Sequence, residues 1–218
     1  ENKYDKFLAE NYDYKANTYE TNKINLLSNP TSLYAKQPTV YYGLMYLAKN
    51  AKKEVKIHTP YIICNDYMYN ELKNIKVPTT IMTNSAENNG NIFGAVDYLN
   101  HKKDIINTGV TIKEYEGGIS YHGKSMTIDD DIAIVGSFNM DMRSAYIDTE
   151  LMLVINSKDI NKQLKASMEE YEKKAATVKN ETEYSHIPEG MKMKELSDKK
   201  KNIKAWFGWA MNGLRFLF

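Results

Sequence analysis

The chain has 218 residues, 42% of them apolar, with 29 basic against 28 acidic side chains and a formal net charge of +1. That apolar share suits one sizeable domain or two small ones, and the cancelled charge excludes the broad cationic surface that drives non-specific nucleic-acid binding. A single cysteine, Cys64, excludes an internal disulfide, and without a cluster of Cys or His a zinc site is not expected.

Residues 1–22 are rich in Tyr, Asn and charge and lack the basic start, apolar run and small-residue site of a signal peptide, so they read as an N-terminal extension. The chain does not begin with Met, which points to a fragment or a processed form. Lys23 to Leu27 reads as a short strand, followed by a turn-rich stretch from Asn29-Pro30 to Pro38. A helix is predicted next, with Val40, Leu44, Leu47, Ala48 and Ala51 at helical spacing and Thr39 able to cap it. Glu54 to Thr59 is a strand that Pro60 ends, and Asp66 to Ile75 is a helix. Thr79 to Thr83 is a buried strand, Ile92 to Asn107 a helix with Val96, Leu99 and Ile106 inward, and Gly109 its stop before the strand Val110 to Tyr115. This alternation implies an α/β layer with a mixed, largely parallel sheet flanked by helices.

The stretch Tyr121 to Glu150 carries the chemistry. In His122-Gly123-Lys124-Ser125-Met126-Thr127-Ile128 a strand's alternation puts His122 and Lys124 on one face, an imidazole beside an ammonium. The acidic run Asp129 to Asp131 breaks the pattern and Ile132 to Val135 resumes it, so two antiparallel strands meet at a tight turn. Gly136, Ser137 and Asn139 then fall beside the first strand and supply donors suited to an anion such as a phosphate. Taken alone, His122 would ordinarily be structural; a same-face Lys, a donor-rich turn and the downstream carboxylate of Glu150 make it a catalytic candidate. Three successive carboxylates in a turn point apart, so no metal site is expected there.

H-x-K-x4-D followed by G-S-x-N resembles the signature of the phospholipase D superfamily. With Asp141-Met142-Arg143-Ser144 and Glu150, the order and spacing are similar to the second half of bacterial cardiolipin synthases. Asp148-Thr149-Glu150 stands where that family often has Asn-x-Glu. The likeness extends back through Ala48 to Val55 and Thr59-Pro60-Tyr61, and covers roughly Lys23 to Val178. It implies one half of a phospholipase D fold over residues 23–180, with His122, Lys124, Asp129 and Glu150 as the catalytic set. Within that set His122 serves as acid and base, Glu150 fixes its tautomer and Asp129 has a structural part. The resemblance further implies that Lys124, Ser137 and Asn139 hold phosphate oxygens without a cofactor, and that Tyr61 either lies at the site mouth or simply packs. Arg143, one of two arginines in the chain, is expected to hold a carboxylate or a carbonyl. For His58 and His101 the sequence names no partner.

Leu151 to Ile155 is a further strand, and Ser157 to Lys179 reads as one amphipathic helix with Ile160, Leu164, Met168, Tyr171, Ala175 and Val178 on its inner face. Residues 181–201 read as a polar linker. Residues 202–218 read as an amphipathic helix, with Ile203, Trp206, Phe207, Ala210, Met211, Leu214, Leu217 and Phe218 behind Lys199 to Lys201; it either lies in a membrane interface or docks on the protein.

The function implied is phosphatidyl transfer or hydrolysis at a phospholipid phosphodiester through a phosphohistidine, as in cardiolipin synthesis. Such a chain would work at a bacterial cytoplasmic membrane, with a second motif-bearing half in the same polypeptide or in a homodimer mate. The alternative is a single-motif nuclease of the same superfamily acting as a homodimer; the neutral charge and aromatic tail favour lipid over nucleic acid.

Overall fold

The computed structural model describes residues 13, 15–16, 18–32, 34–207, 213 and 215–217. Its strands are β1 (Lys23–Ser28), β2 (Val55–His58), β3 (Ile62–Ile63), β4 (Thr79–Asn84), β5 (Thr111–Tyr115), β6 (Ser125–Ile128), β7 (Ile132–Gly136), β8 (Met140–Asp141), β9 (Leu151–Asn156), β10 (Ala175–Val178) and β11 (Tyr184–His186). Its helices are α1 (Thr39–Lys49), α2 (Asp66–Lys73), α3 (Ile92–Asn107), α4 (Met142–Tyr146), α5 (Lys158–Glu172) and α6 (Asp198–Phe207), with a 3₁₀ turn at Arg215–Leu217.

Among the described residues nine strands form one mixed sheet in the order β1-β9-β7-β6-β2-β4-β5-β10-β11, and β3 pairs with β8 in a small parallel ladder. Parallel pairing in the large sheet is confined to β2, β4 and β5 at its centre; the strands on either side pair antiparallel. Ile57, Ile81, Ile112, Met126, Ile134 and Met152 project from one face into the main core. There they meet Leu44, Met45 and Ala48 of α1, Met68 and Leu72 of α2, and Tyr98 and Ile105 of α3. On the opposite face α5 crosses β5, β6, β7 and β9.

Local chemistry sets the helix starts. Asn65 and Asn91 accept from Met68 N and Gly94 N and so cap α2 and α3. Thr39 is not the cap of α1: it is the first helical residue, and the orphan N–H of Val40 is taken by Asn29 Oδ1 at 3.1 Å.

The long helix expected over Ser157 to Lys179 ends at Glu172. Ala175 to Val178 turn back as β10 and pair with β5, because the β-branched Thr177 and Val178 suit a strand and the outer ladder of β5 needs a partner. The stretch expected to be a polar linker is built into the fold as well, since Tyr184–His186 form β11 and buried Lys200 donates to the carbonyls of Ala86, Glu87 and Asn89. At the carboxyl end, Arg215 docks on the core through Asp97 (Nε–Oδ1 2.6 Å) and the Cys64 carbonyl (2.8 Å), while Trp206 stays exposed. Ala210, Met211, Leu214 and Phe218 of the expected amphipathic helix lie outside the described residues, as do residues 1–12 of the N-terminal extension. Among the described residues, no helix is long and apolar enough to cross a membrane.

Candidate active site

Strand direction gathers the motif at one edge of the sheet. The carboxyl ends of β2, β4, β5 and β7 and the amino ends of β6 and β9 all lie there, the usual place for ligands in an α/β sheet. β6 begins at Ser125, so His122 and Lys124 stand on the segment leading into the strand rather than within it. They touch nonetheless: Lys124 Nζ lies 2.9 Å from His122 Nδ1, 3.2 Å from Nε2, and donates to the His122 carbonyl at 2.9 Å. Partial desolvation at this exposed edge and then the neighbouring ammonium hold the His122 imidazole below its ordinary value of 6.5. Burial also lowers Lys124, against which Glu150 and Asp141 act to keep its charge.

Gly136 N donates to the Lys124 carbonyl at 3.2 Å and brings the next turn alongside. A Cβ at Gly136 would sit 2.1 Å from the Leu151 carbonyl, so only glycine lets β7 and β9 approach there. Ser137 is exposed beside it, but its hydroxyl donates to Glu150 Oε2. The other oxygen of Glu150 accepts from Ser144 Oγ at 2.9 Å. Glu150 is therefore buried between two serines and does not bond His122; the tautomer-fixing contact expected from the sequence is absent among the described residues, where the ring's hydrogen bonds are with Lys124. Asn139 Nδ2 lies 3.2 Å from the Tyr61 hydroxyl and 3.3 Å from Ser144 Oγ, and the β3–β8 ladder is what joins these two loops. Tyr61 thus belongs to this edge.

Asp129 does not belong to it. It occupies the β6–β7 turn at the far end of the sheet, seven residues from His122, or roughly 20 Å along extended chain. With φ at 51°, it accepts from the backbone N–H groups of Lys52, Lys53 and Glu54. Burial works against its charge, but those three donors hold the carboxyl below its ordinary value. Asp129 therefore locks the loop between α1 and β2, and its place among catalytic residues is withdrawn.

Arg143 holds a carboxylate and a carbonyl as the sequence led us to expect, whereas Asp141, Asn84 and His58 had no role assigned from the sequence. Arg143 meets the Asp148 carboxylate (Nε–Oδ2 3.0 Å) and the Leu217 carbonyl (3.4 Å), so Asp148 in place of the family's Asn has found a cation. Asp141 caps α4 by accepting from Ser144 N, and its burial outweighs that bond and raises the carboxyl to about 7. Asn84, at the end of β4, binds Tyr121 N and O at 2.8 and 2.9 Å and the Pro60 carbonyl at 2.8 Å. Its position at the carboxyl end of a central parallel strand was the available signal. His58 is buried on β2 with two partners, Glu172 Oε1 and the Tyr121 hydroxyl, each at 3.2 Å. Nothing near it in sequence announces either. Among the described residues no group of His, Cys, Asp and Glu is arranged to hold a metal ion.

The family model described as cardiolipin synthase, PLD-like domain matches residues 44–171. Cardiolipin synthase 1 of Staphylococcus epidermidis is 30% identical over 159 residues, 72% of this chain and 32% of its own length. Among solved structures, phosphatidylserine synthase of Haemophilus influenzae superposes with a TM-score of 0.64 at 16% identity, over 89% of this chain and 48% of that one. Nuc, a phospholipase D family member from Salmonella typhimurium, superposes with a TM-score of 0.57 at 16% identity, over 72% of this chain and 97% of that one. The chain spans about a third of the length of the cardiolipin synthase it matches, and the two structural likenesses show a shared fold. Residues 44–171 cover more than half of the sequence and hold the whole edge just described, and on that match the chain belongs to the cardiolipin synthase, PLD-like domain family.

Proposed function

We propose that this chain supplies one half of a phosphatidyl-transferring site acting on phospholipid phosphodiesters. The observation that carries the reading is the contact between Lys124 Nζ and the His122 ring, 2.9 Å, at a sheet edge where, among the described residues, no carboxylate bonds that ring. An ammonium so placed neutralises a phosphoryl oxygen while the imidazole handles a proton, and one imidazole cannot be nucleophile and acid at once. In the full cycle one neutral imidazole attacks phosphorus, a P–N bond forms, the P–O bond to the leaving alcohol breaks, and the other ring, entering as its imidazolium, protonates that oxygen. The acceptor hydroxyl then gives its proton to the same imidazole and attacks phosphorus, and the P–N bond breaks. His122 takes the acid and base part. Lys124 and Asn139 are the donors for phosphate oxygens; Ser137 joins them only by releasing Glu150.

The second imidazole comes from another unit of this fold, in the same polypeptide or a second copy. A surface suited to such a unit adjoins the site. Ile24 and Leu26 of β1 lie in register with Ile155 and Leu153 of β9, and Leu153 with Val135 of β7. Ile24, Leu26, Val135 and Leu151 are exposed, an apolar face beside Ser137 that α5 leaves open. The membrane surface is the proposed place of work, with exposed Trp206 and with Lys199, Lys201 and Lys204 of α6 facing outward.

Calorimetric titration with tungstate tests the half-site. The wild type should bind one ion per chain, Lys124→Ala should weaken it most, and the monomer should release no head group from phosphatidylglycerol vesicles. Turnover by a chain shown to be monomeric by sedimentation would refute the half-site, and failure of Lys124→Ala to alter tungstate binding would remove the oxyanion site from this edge.

A further inference from the structure

We infer that Tyr121 is a positioning residue for His122, clasped by Asn84 at its backbone and by the His58–Glu172 pair at its hydroxyl. The inference rests on reading His122 as a reacting imidazole. His122 is exposed and lies outside regular structure, in the lead-in to β6. Its own ring bonds, to the flexible ammonium of Lys124, cannot fix where it sits. The residue before it is fixed at every polar group. Asn84 Oδ1 accepts from Tyr121 N at 2.8 Å, and Asn84 Nδ2 donates to Tyr121 O at 2.9 Å. Asn88 extends the clasp to the same loop, donating to the Ile119 carbonyl at 3.1 Å and accepting from Gly118 N at 3.1 Å.

At the other end the direction of each proton follows from the partners. Burial disfavours the charge on Glu172, but His58, Lys113 and Lys56 bring its carboxyl down to about 2, so it only accepts. His58 Nε2 therefore carries the hydrogen it shares with Glu172. Burial keeps the ring neutral, and Nδ1 is left as the acceptor for the Tyr121 hydroxyl at 3.2 Å. The phenol ring is wedged against Tyr171 and Tyr115, with centroids 4.8 and 5.9 Å apart. It lies so close over Gly123 that a Cβ there would come within 2.2 Å of the Tyr121 hydroxyl. The residue between His122 and Lys124 is thus small because the clasp passes over it, which ties the spacing of the motif to Tyr121.

Two substitutions break the same bond by different routes. Tyr121→Phe removes the hydroxyl and keeps the ring; Gly123→Ala pushes the hydroxyl away from His58. Tyr115→Phe alters the same aromatic cluster without touching the clasp and serves as control. The readouts are the pH titration of His122 by NMR, assigned with His122→Ala, and tungstate affinity by calorimetry. Both clasp variants should move the His122 titration up toward 6.5 as the ring drifts into solvent, and tungstate affinity should fall about tenfold, with Tyr115→Phe matching the wild type. If wild-type protein takes no tungstate while the His122 titration still moves in the two variants alone, the clasp stands and the oxyanion reading falls. Unchanged titration and affinity in both would overturn the inference, as would a matching change in Tyr115→Phe. If one variant does not fold the other decides, and loss of the cooperative melt in both would assign Tyr121 to the fold rather than to His122.

Discussion

The Ser137 hydroxyl donates to the Glu150 carboxylate, and the bond commits two residues of the motif to each other rather than to His122. Ser144 fills the other carboxylate oxygen at 2.9 Å. Glu150→Gln keeps the size but offers one acceptor and one NH₂ where two hydroxyls now donate, so one serine must turn. The expected cost is about 1–2 kcal/mol of stability, read as a lower urea midpoint. Loss of the charge also removes the largest influence that supports the Lys124 ammonium, so Lys124 should titrate still lower in the variant by NMR. An unchanged Lys124 would mean that Glu150 does not govern the charge at this edge.

Asp129 makes the opposite case, a motif residue whose contacts are all structural. Three backbone donors from Lys52 to Glu54 converge on it, and Asp129→Ala leaves them without their acceptor in a partly solvated loop. We expect a loss of roughly 1–3 kcal/mol with tungstate affinity within twofold of wild type. A fall in affinity at unchanged stability would restore Asp129 to the site.

These two residues show what the sequence could and could not carry. Alternation over Ser125 to Ile128 and the breaks at Asp129 and Gly136 were enough to place the hairpin, which depends on neighbours in the chain; His122 does meet Lys124, but on the lead-in to β6 and not through the strand alternation expected of them. The partners of Glu150 and Asp129 depend on which loops the sheet brings together, and no local pattern encodes that. The same limit explains the Ser157 to Lys179 stretch: helical spacing continues through Ala175 and Val178, yet the unpaired edge of β5, sixty residues earlier, draws them into β10. His58 and Asn84 were missed for a related reason, each being the last residue of a short strand and taking its meaning from Tyr121, far away in sequence.

The carboxyl end separates docking from surface contact. Arg215 meets buried Asp97 through Nε at 2.6 Å and Nη2 at 3.1 Å. Arg215→Ala strands that carboxylate and should cost about 3–5 kcal/mol, seen as a fall in the thermal midpoint. Trp206 is 84% exposed, so Trp206→Ala should leave the midpoint in place while lowering flotation with anionic liposomes. If flotation instead follows Arg215 and ignores Trp206, the tail is part of the core and the membrane contact lies elsewhere.

Asp141 gives the sharpest pH signature. Its carboxyl is raised from 3.8 to about 7, chiefly by burial, with Glu150 and Asp148 adding to the rise and Ser144 opposing it. The native state thus keeps a proton that the unfolded chain releases near the ordinary value. Between those limits the folded form binds more protons, so this group's contribution to stability declines as pH rises, and the penalty is complete above about pH 7. At about 1.36 kcal/mol per pH unit the rise is worth at most about 4 kcal/mol. Asp141→Asn keeps the cap on Ser144 N, since an amide oxygen accepts as a carboxylate does, and has no proton to lose. The variant should match the wild type at pH 4 and exceed it at pH 8. The gain should stay below that ceiling, because Lys124 loses one of the two carboxylates that support its charge. Urea midpoints at the two pH values measure this directly, and an equal difference at both would mean that Asp141 ionises as an ordinary carboxyl.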